Sequence, residues 1–177
     1  MPASIEIRRG NLFDGASDIV VLPCNTNGGV APFVARSLDT YNIPYPGPIR
    51  LGDISLRRLD HAQSIAKYAA FAGSVLDGTV TQEVNLHSIG AKLGTACAGN
   101  RSLRLVSAPL LGAGAGGLQS EFVVRALRDG FRSTAPNDST LRISVLHQAV
   151  YARLSGDSSP FKKVSPTNDT GTRIFVS

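Results

Sequence analysis

The stretch that most constrains this chain is Asp18-Ile-Val-Val-Leu22, an unbroken aliphatic and β-branched run stopped by Pro23. A strand that is apolar on both faces must be covered on both faces, as a central strand of a parallel sheet is. Shortly after it come Gly28-Gly29, and then Val30, Val34, Ala35 and Leu38 at helical spacing. Strand, glycine turn and amphipathic helix, in that order, predict one βα unit.

The alternation continues along the chain. Ile5 and Ile7 alternate with Glu6 and Arg8, which predicts a short, half-buried strand ended by Gly10. The segment Ile43-Pro-Tyr-Pro-Gly-Pro48 cannot be helical, because its prolines lack donors and bias their predecessors toward extended geometry. It predicts a rigid connection. Residues 65–72 read as a further strand, and Leu86, Ile89, Leu93 and Ala96 share one face of a helix that Gly99 terminates. Residues 103–111 are strand-like, Phe122, Val123, Ala126, Leu127 and Phe131 form a third amphipathic helix, and Leu141, Ile143 and Val145 mark a last strand. Such alternation predicts an α/β fold with a mostly parallel sheet, helices on both faces and right-handed crossovers. Ligands in these sheets lie at the carboxyl ends of the strands.

With 177 residues the chain fits one domain. Its expected extent is 1–154, followed by a polar surface extension, 155–177, in which Arg173–Val176 can add an edge strand. No apolar run is long enough to span a membrane, and charge occupies the N-terminus where a signal peptide is apolar, so a cytoplasmic protein without a membrane partner is expected. Cys24 and Cys97 are too isolated for a disulfide framework or a zinc site, so they read as buried thiols and no metal is expected. The balance of 18 Lys and Arg against 13 Asp and Glu leaves +5, which favours acidic ligands. The basic pairs Arg8-Arg9, Arg57-Arg58 and Lys162-Lys163 are scattered and lack interleaved aromatics. They read as a solvated basic surface rather than a nucleic-acid groove.

Two glycine-rich loops leave strands and enter helices, where backbone N–H groups and the positive helix end can hold a phosphate. The first is Pro23-Cys-Asn-Thr-Asn-Gly-Gly-Val30; the second is Ala108-Pro-Leu-Leu-Gly-Ala-Gly-Ala-Gly-Gly117. The second contains G-x-G-x-x-G at Gly112, Gly114 and Gly117, but it stands too late in the chain for a dinucleotide fingerprint. A diphosphate clamped between two backbone nests accounts for both loops.

In these segments the sequence resembles the macrodomain family. Ile5-Glu-Ile-Arg-Arg-Gly-Asn-Leu-Phe13 is similar to the family's opening strand and its Gly-Asp-Ile-Thr; Asp18-Ile-Val-Val-Leu-Pro-Cys-Asn25 is similar to Asp-Ala-Ile-Val-Asn-Ala-Ala-Asn, ahead of Gly-Gly-Val. The second loop resembles the family's diphosphate loop, and Leu51-Gly-Asp-Ile-Ser55 sits where the family often has Gly-x-x-x-Thr. The resemblance covers roughly residues 4–153. It implies a three-layer α/β/α sandwich with a mixed, mostly parallel central sheet that binds ADP-ribose or a related NAD-derived nucleotide as a monomer, without a further cofactor. It places Asn11 and Leu12 at the adenine, Asn25 at the distal ribose, and Gly28, Gly29, Val30, Gly112, Ala113, Gly114, Ala115, Gly116 and Gly117 at the diphosphate. His147 falls near the family's adenine-stacking aromatic.

Three departures stand out: Asn11 replaces an Asp, Leu22 replaces an Asn, and Ala31-Pro32 follow Gly-Gly-Val where many hydrolytic members carry an acidic residue. A binding module for free or partner-attached ADP-ribose is therefore the leading expectation. The alternatives are a hydrolase removing ADP-ribose from protein, nucleic acid or a metabolite, with Asn25 orienting the ligand and Asp53 or His147 activating water, and a nucleic-acid-binding domain.

Overall fold

The computed structural model describes residues 1–60, 65–76, 79, 81–112 and 119–155, together with the backbone of two strands in the tail. The strands are β1 (Ser4–Arg9), β2 (Ser17–Asn25), β3 (Ile54–Arg58), β4 (Ala66–Val75), β5 (Leu105–Pro109), β6 (Thr140–Val145), β7 (Phe161–Lys163) and β8 (Arg173–Val176). The helices are α1 (Pro32–Tyr41), α2 (Glu83–Gly99), α3 (Ser120–Thr134) and α4 (Gln148–Ser155). One sheet runs in the order β3-β4-β2-β5-β6-β1-β8-β7. Its centre is parallel, with β4, β2, β5, β6 and β1 side by side, and antiparallel strands flank it on both sides.

The alternation of β2 divides the core. Ile19 and Val21 join Leu86, Leu93, Val123, Leu127 and Phe131 beneath α2 and α3, whereas Val20, Leu22 and Cys24 join Val34, Leu38 and Phe71 beneath α1. Helices on opposite faces of a mixed sheet make the α/β/α sandwich that the sequence predicts. The α2–α3 contact is close because glycines line it. A Cβ on Gly90 would lie 2.5 Å from the Leu127 carbonyl oxygen, and one on Gly130 would overlap the carbonyl oxygen of His87.

Three features differ from the sequence reading. β1 is not half-buried: Glu6 and Arg8 are as covered as Ile5 and Ile7. β6 and β8 flank β1 on either side, and Glu6 meets the Arg142 guanidinium 3.3 Å away. Strand β3 and helix α4 have no counterpart in the sequence reading. β3 is the exposed, arginine-bearing flank of β4, and α4 is a short helix with two buried residues, Tyr151 and Leu154, so neither carries a long apolar period. Arg173–Val176 does form a strand, but it pairs with β1 on one side and β7 on the other, so β7 is the edge.

Asp18 fixes the starts of three strands. Its Oδ2 accepts the N–H groups of Arg104 and Leu105 at 2.8 Å each, and its Oδ1 lies 3.0 Å from Lys67 Nζ. Burial pushes its pKa up, but the two backbone donors and the Lys67 ammonium outweigh that and hold it below the usual carboxylate value. The α2–α3 geometry yields a stability test. Gly130→Ala should lower unfolding free energy by about 1–3 kcal/mol through overpacking. Gly99→Ala, where a Cβ meets nothing within 4 Å, should leave it unchanged or raise it. Urea midpoints measured at constant m-value decide between these outcomes.

Candidate functional site

The carboxyl ends of β2, β5, β6 and β1 open into one cleft of about 1090 Å³. Cys24, Asn25, Pro109 and Ser144 line it from the strands, Leu110 from just past β5, and Phe33, Arg36, Ser37, Thr40 and Tyr41 from α1. Its volume suits a nucleotide-sized ligand.

Asn25 shapes the first glycine loop. Its side-chain Oδ1 accepts the N–H groups of Asn27 at 3.0 Å and Gly29 at 2.7 Å, while its own N–H donates to the Gly29 carbonyl at 2.9 Å. The amide carbonyl is thus occupied within the loop, and the Nδ2 amino group is what Asn25 has left for a ligand. Gly28 has φ of +85°, and a Cβ there would lie 2.6 Å from the Pro46 carbonyl oxygen. The proline-rich connection therefore braces the loop from outside, and the Ile49 N–H bonds to the Thr26 carbonyl at 3.1 Å to hold it there.

Beyond this loop α1 starts at Pro32, two residues later than its apolar period suggests. Pro32 suits a first helical position, where its missing donor is not needed. No side chain caps α1 and no acidic residue lies in its first turn, whereas α2 has Glu83 and α3 has Glu121 there. The positive end of α1 is left for another anion, and Val30, Ala31 and Phe33 place it on the cleft.

At the opposite end the Gly10 N–H donates to the Val145 carbonyl at 3.0 Å, tying the loop after β1 to the end of β6. Asp14 Oδ2 accepts the Asn11 N–H at 2.9 Å, and Asn11 Oδ1 accepts the Phe13 N–H at 3.2 Å. Asn11 therefore also faces outward through its amino group. Leu12 is buried in the α1-side core and forms part of the cleft lining, and the Phe13 ring packs against Tyr41 with centroids 5.3 Å apart.

The structure brings Asn11, Leu12, Asn25, Gly29, Val30, Gly112 and His147 to one cleft, whereas Gly28, within the first loop, faces the Pro46–Gly47 backbone and is not part of the lining. Gly112 has φ of +76° and a Cβ there would lie 2.5 Å from Thr81 Cγ2, so the second loop begins pressed against Thr81. Ala113, Gly114, Ala115, Gly116 and Gly117 lie outside the described residues. His147 sits exposed at the rim, its carbonyl accepting the Tyr151 N–H at the start of α4. Asp53 is not in the cleft lining. Lys92 Nζ, 2.9 Å away, and the Ile54 N–H hold its carboxyl below the usual carboxylate range, which makes it an ion-pair partner rather than a base for the cleft. The sequence reading missed Phe33, Arg36, Tyr41 and Ser144. Helical spacing identified only the buried stripe of α1, and the polar flank beside it is what faces the cleft.

Three solved structures place this architecture. The chain is similar to the macrodomain of Mycobacterium tuberculosis DarG, with a TM-score of 0.66 at 16% identity over 80% of this chain and 98% of that one. The macrodomain of Thermus aquaticus DarG gives 0.62 at 18% identity, covering 80% and 97%. The Oceanobacillus iheyensis macrodomain with ADP gives 0.62 at 12% identity, covering 85% and 87%. No family model matches the sequence, and comparison with curated proteins finds no match either.

The thiols give a chemical check on this geometry. Burial pushes Cys24 and Cys97 up to about 11, so both stay protonated near neutral pH, although Cys24 lines the cleft. Iodoacetamide at about pH 8 should label neither in the folded protein and both in denaturant, since the thiolate is the nucleophile. Rapid native labelling of Cys24, read by mass spectrometry, would contradict the packing described.

Proposed function

We propose that this chain, which has the macrodomain fold, binds ADP-ribose or a related nucleoside diphosphate across the ends of β2, β5, β6 and β1. The observation that carries this reading is the uncapped, acid-free N-terminus of α1, which meets a glycine loop whose shape Asn25 maintains. Backbone donors at such a helix end favour a phosphate. The structural relative from Oceanobacillus iheyensis holding ADP supports the same ligand class, and the net charge of +5 favours an anion. In this reading the diphosphate lies between the two glycine loops, the distal ribose meets the Asn25 amino group, and the nucleoside lies toward Asn11 and Leu12. An ADP-ribosylated protein or nucleic acid would present the same group from a partner.

Calorimetry against ADP-ribose, ADP, AMP and single-stranded RNA tests it. ADP-ribose and ADP should bind, and AMP should bind more weakly because it offers one phosphate to two loops. Ala31→Glu puts a carboxylate at the α1 terminus, where it favours the helix and repels the ligand. Affinity should fall by about tenfold or more, the ratio for roughly 1.4 kcal/mol, while the melting temperature holds or rises. Undiminished binding by this variant would refute the site. Binding to RNA alone, with a steep salt dependence, would favour a nucleic-acid module instead.

The protein acts in this reading as a binder. Gly28–Phe33 supplies backbone donors and no carboxylate or imidazole, and a positioned base contributes about 10²- to 10⁴-fold to such hydrolysis. Release of ADP-ribose from a modified protein should accordingly be slow or undetectable. Turnover many times per minute would replace the binder with an enzyme.

A further inference from the structure

The face of the sheet that α1 covers is apolar on β2 and β4, but it turns polar on β5, β6 and β1. Ser107, Arg142, Ser144, Glu6 and Arg8 are all buried there. Across the parallel strands Ser107 and Glu6 flank Arg142, and Pro109 and Arg8 flank Ser144. Arg8 reaches up from this row: its Nη1 donates to the Asp14 carbonyl oxygen, and Gly15 packs against the same guanidinium. The loop that carries Asn11 and Leu12 is thereby held above Ser144 at the end of β6.

Ser144 is 7% exposed, and its hydroxyl makes no hydrogen bond among the described residues, yet it lines the cleft. Native proteins seldom leave a buried hydroxyl without a partner, because its desolvation then goes uncompensated. Ser74 and Ser107 also carry buried hydroxyls without partners, but neither is part of the cleft lining. Ser144 differs from them in position. It lies on the β6–β1 half of the floor, where the Gly10 N–H bonds to Val145, and across the cleft from the helix end assigned to the diphosphate.

We infer that the Ser144 hydroxyl is a ligand-binding group that hydrogen-bonds the nucleoside end of the bound nucleoside diphosphate. This inference rests on the proposed binding function. A hydroxyl both donates and accepts, so once turned toward the cleft it can meet either a ring nitrogen or a ribose hydroxyl. In the free protein the same hydroxyl is a cost to folding, since no protein group among the described residues pairs with it.

The two roles give opposite signs, which a structural serine would not. Ser144→Ala should fold with a melting temperature equal to or above that of the wild type. It should bind both ADP and ADP-ribose about three- to thirtyfold more weakly, the range for losing one hydrogen bond to a buried partner. Ser107→Ala, on the same sheet face but outside the cleft lining, should leave both affinities within about twofold, a ratio well under 1 kcal/mol. If the wild type binds ADP and ADP-ribose and Ser144→Ala binds them equally well, this inference falls while the binding function stands. Loss confined to ADP-ribose would assign Ser144 to the distal ribose and overturn the nucleoside assignment. A wild type that binds neither nucleotide overturns both readings.

Discussion

The Asp18 carboxylate holds the register from which the cleft follows. By accepting the N–H groups that begin β5 and pairing with Lys67 on β4, it aligns the starts of three neighbouring parallel strands. β2 and β5 start level at Asp18 and Leu105 and, though nine and five residues long, both end at the cleft, so their loops leave from the same rim. β6 and β1 join that rim through the pairing of β5 with β6 and of β6 with β1. A slip at Asp18 would move the end of β2, and the loop that follows it, away from the end of β5.

The loops are built by different means. The first is made rigid by its own side chain, since Asn25 spends its carbonyl on Asn27 and Gly29 and the proline-rich connection packs on Gly28. The loop after β1 is held from below by a buried guanidinium and from the side by the Gly10–Val145 bond. In both, the loop's own asparagine spends its amide oxygen on backbone N–H groups, which leaves its amino group as the side chain's remaining donor. Preorganisation of this kind lowers the ordering cost of binding.

Much of this was legible in the sequence. The Asp18–Leu22 run marked the central strand, and the glycines marked the turns, because each is a strong local constraint. Glu6, Arg8 and Arg142 were not legible as a buried row. Period-two alternation tells which residues share a face, not whether that face is later covered. β3 and α4 escaped because one is an exposed flank strand and the other too short to show a period. Ser144 gave no signal at all: a single serine in a strand acquires meaning only when its neighbours across the sheet and the loop above it are known. The folded relatives at 12–18% identity agree in architecture while most side chains differ, which is why shape reached them and sequence comparison did not.

The basic pairs read from the sequence as solvated surface fall on particular strands, and Arg8 among them is buried. Arg57-Arg58 lies on β3 and Lys162-Lys163 on β7, the two outermost strands of the sheet, while Arg8-Arg9 is interior on β1. An outer strand offers unpaired backbone groups to any other strand that approaches, and cationic residues there discourage it. On β3 those residues are exposed, so the border that Arg57 and Arg58 form resists strand addition of that kind.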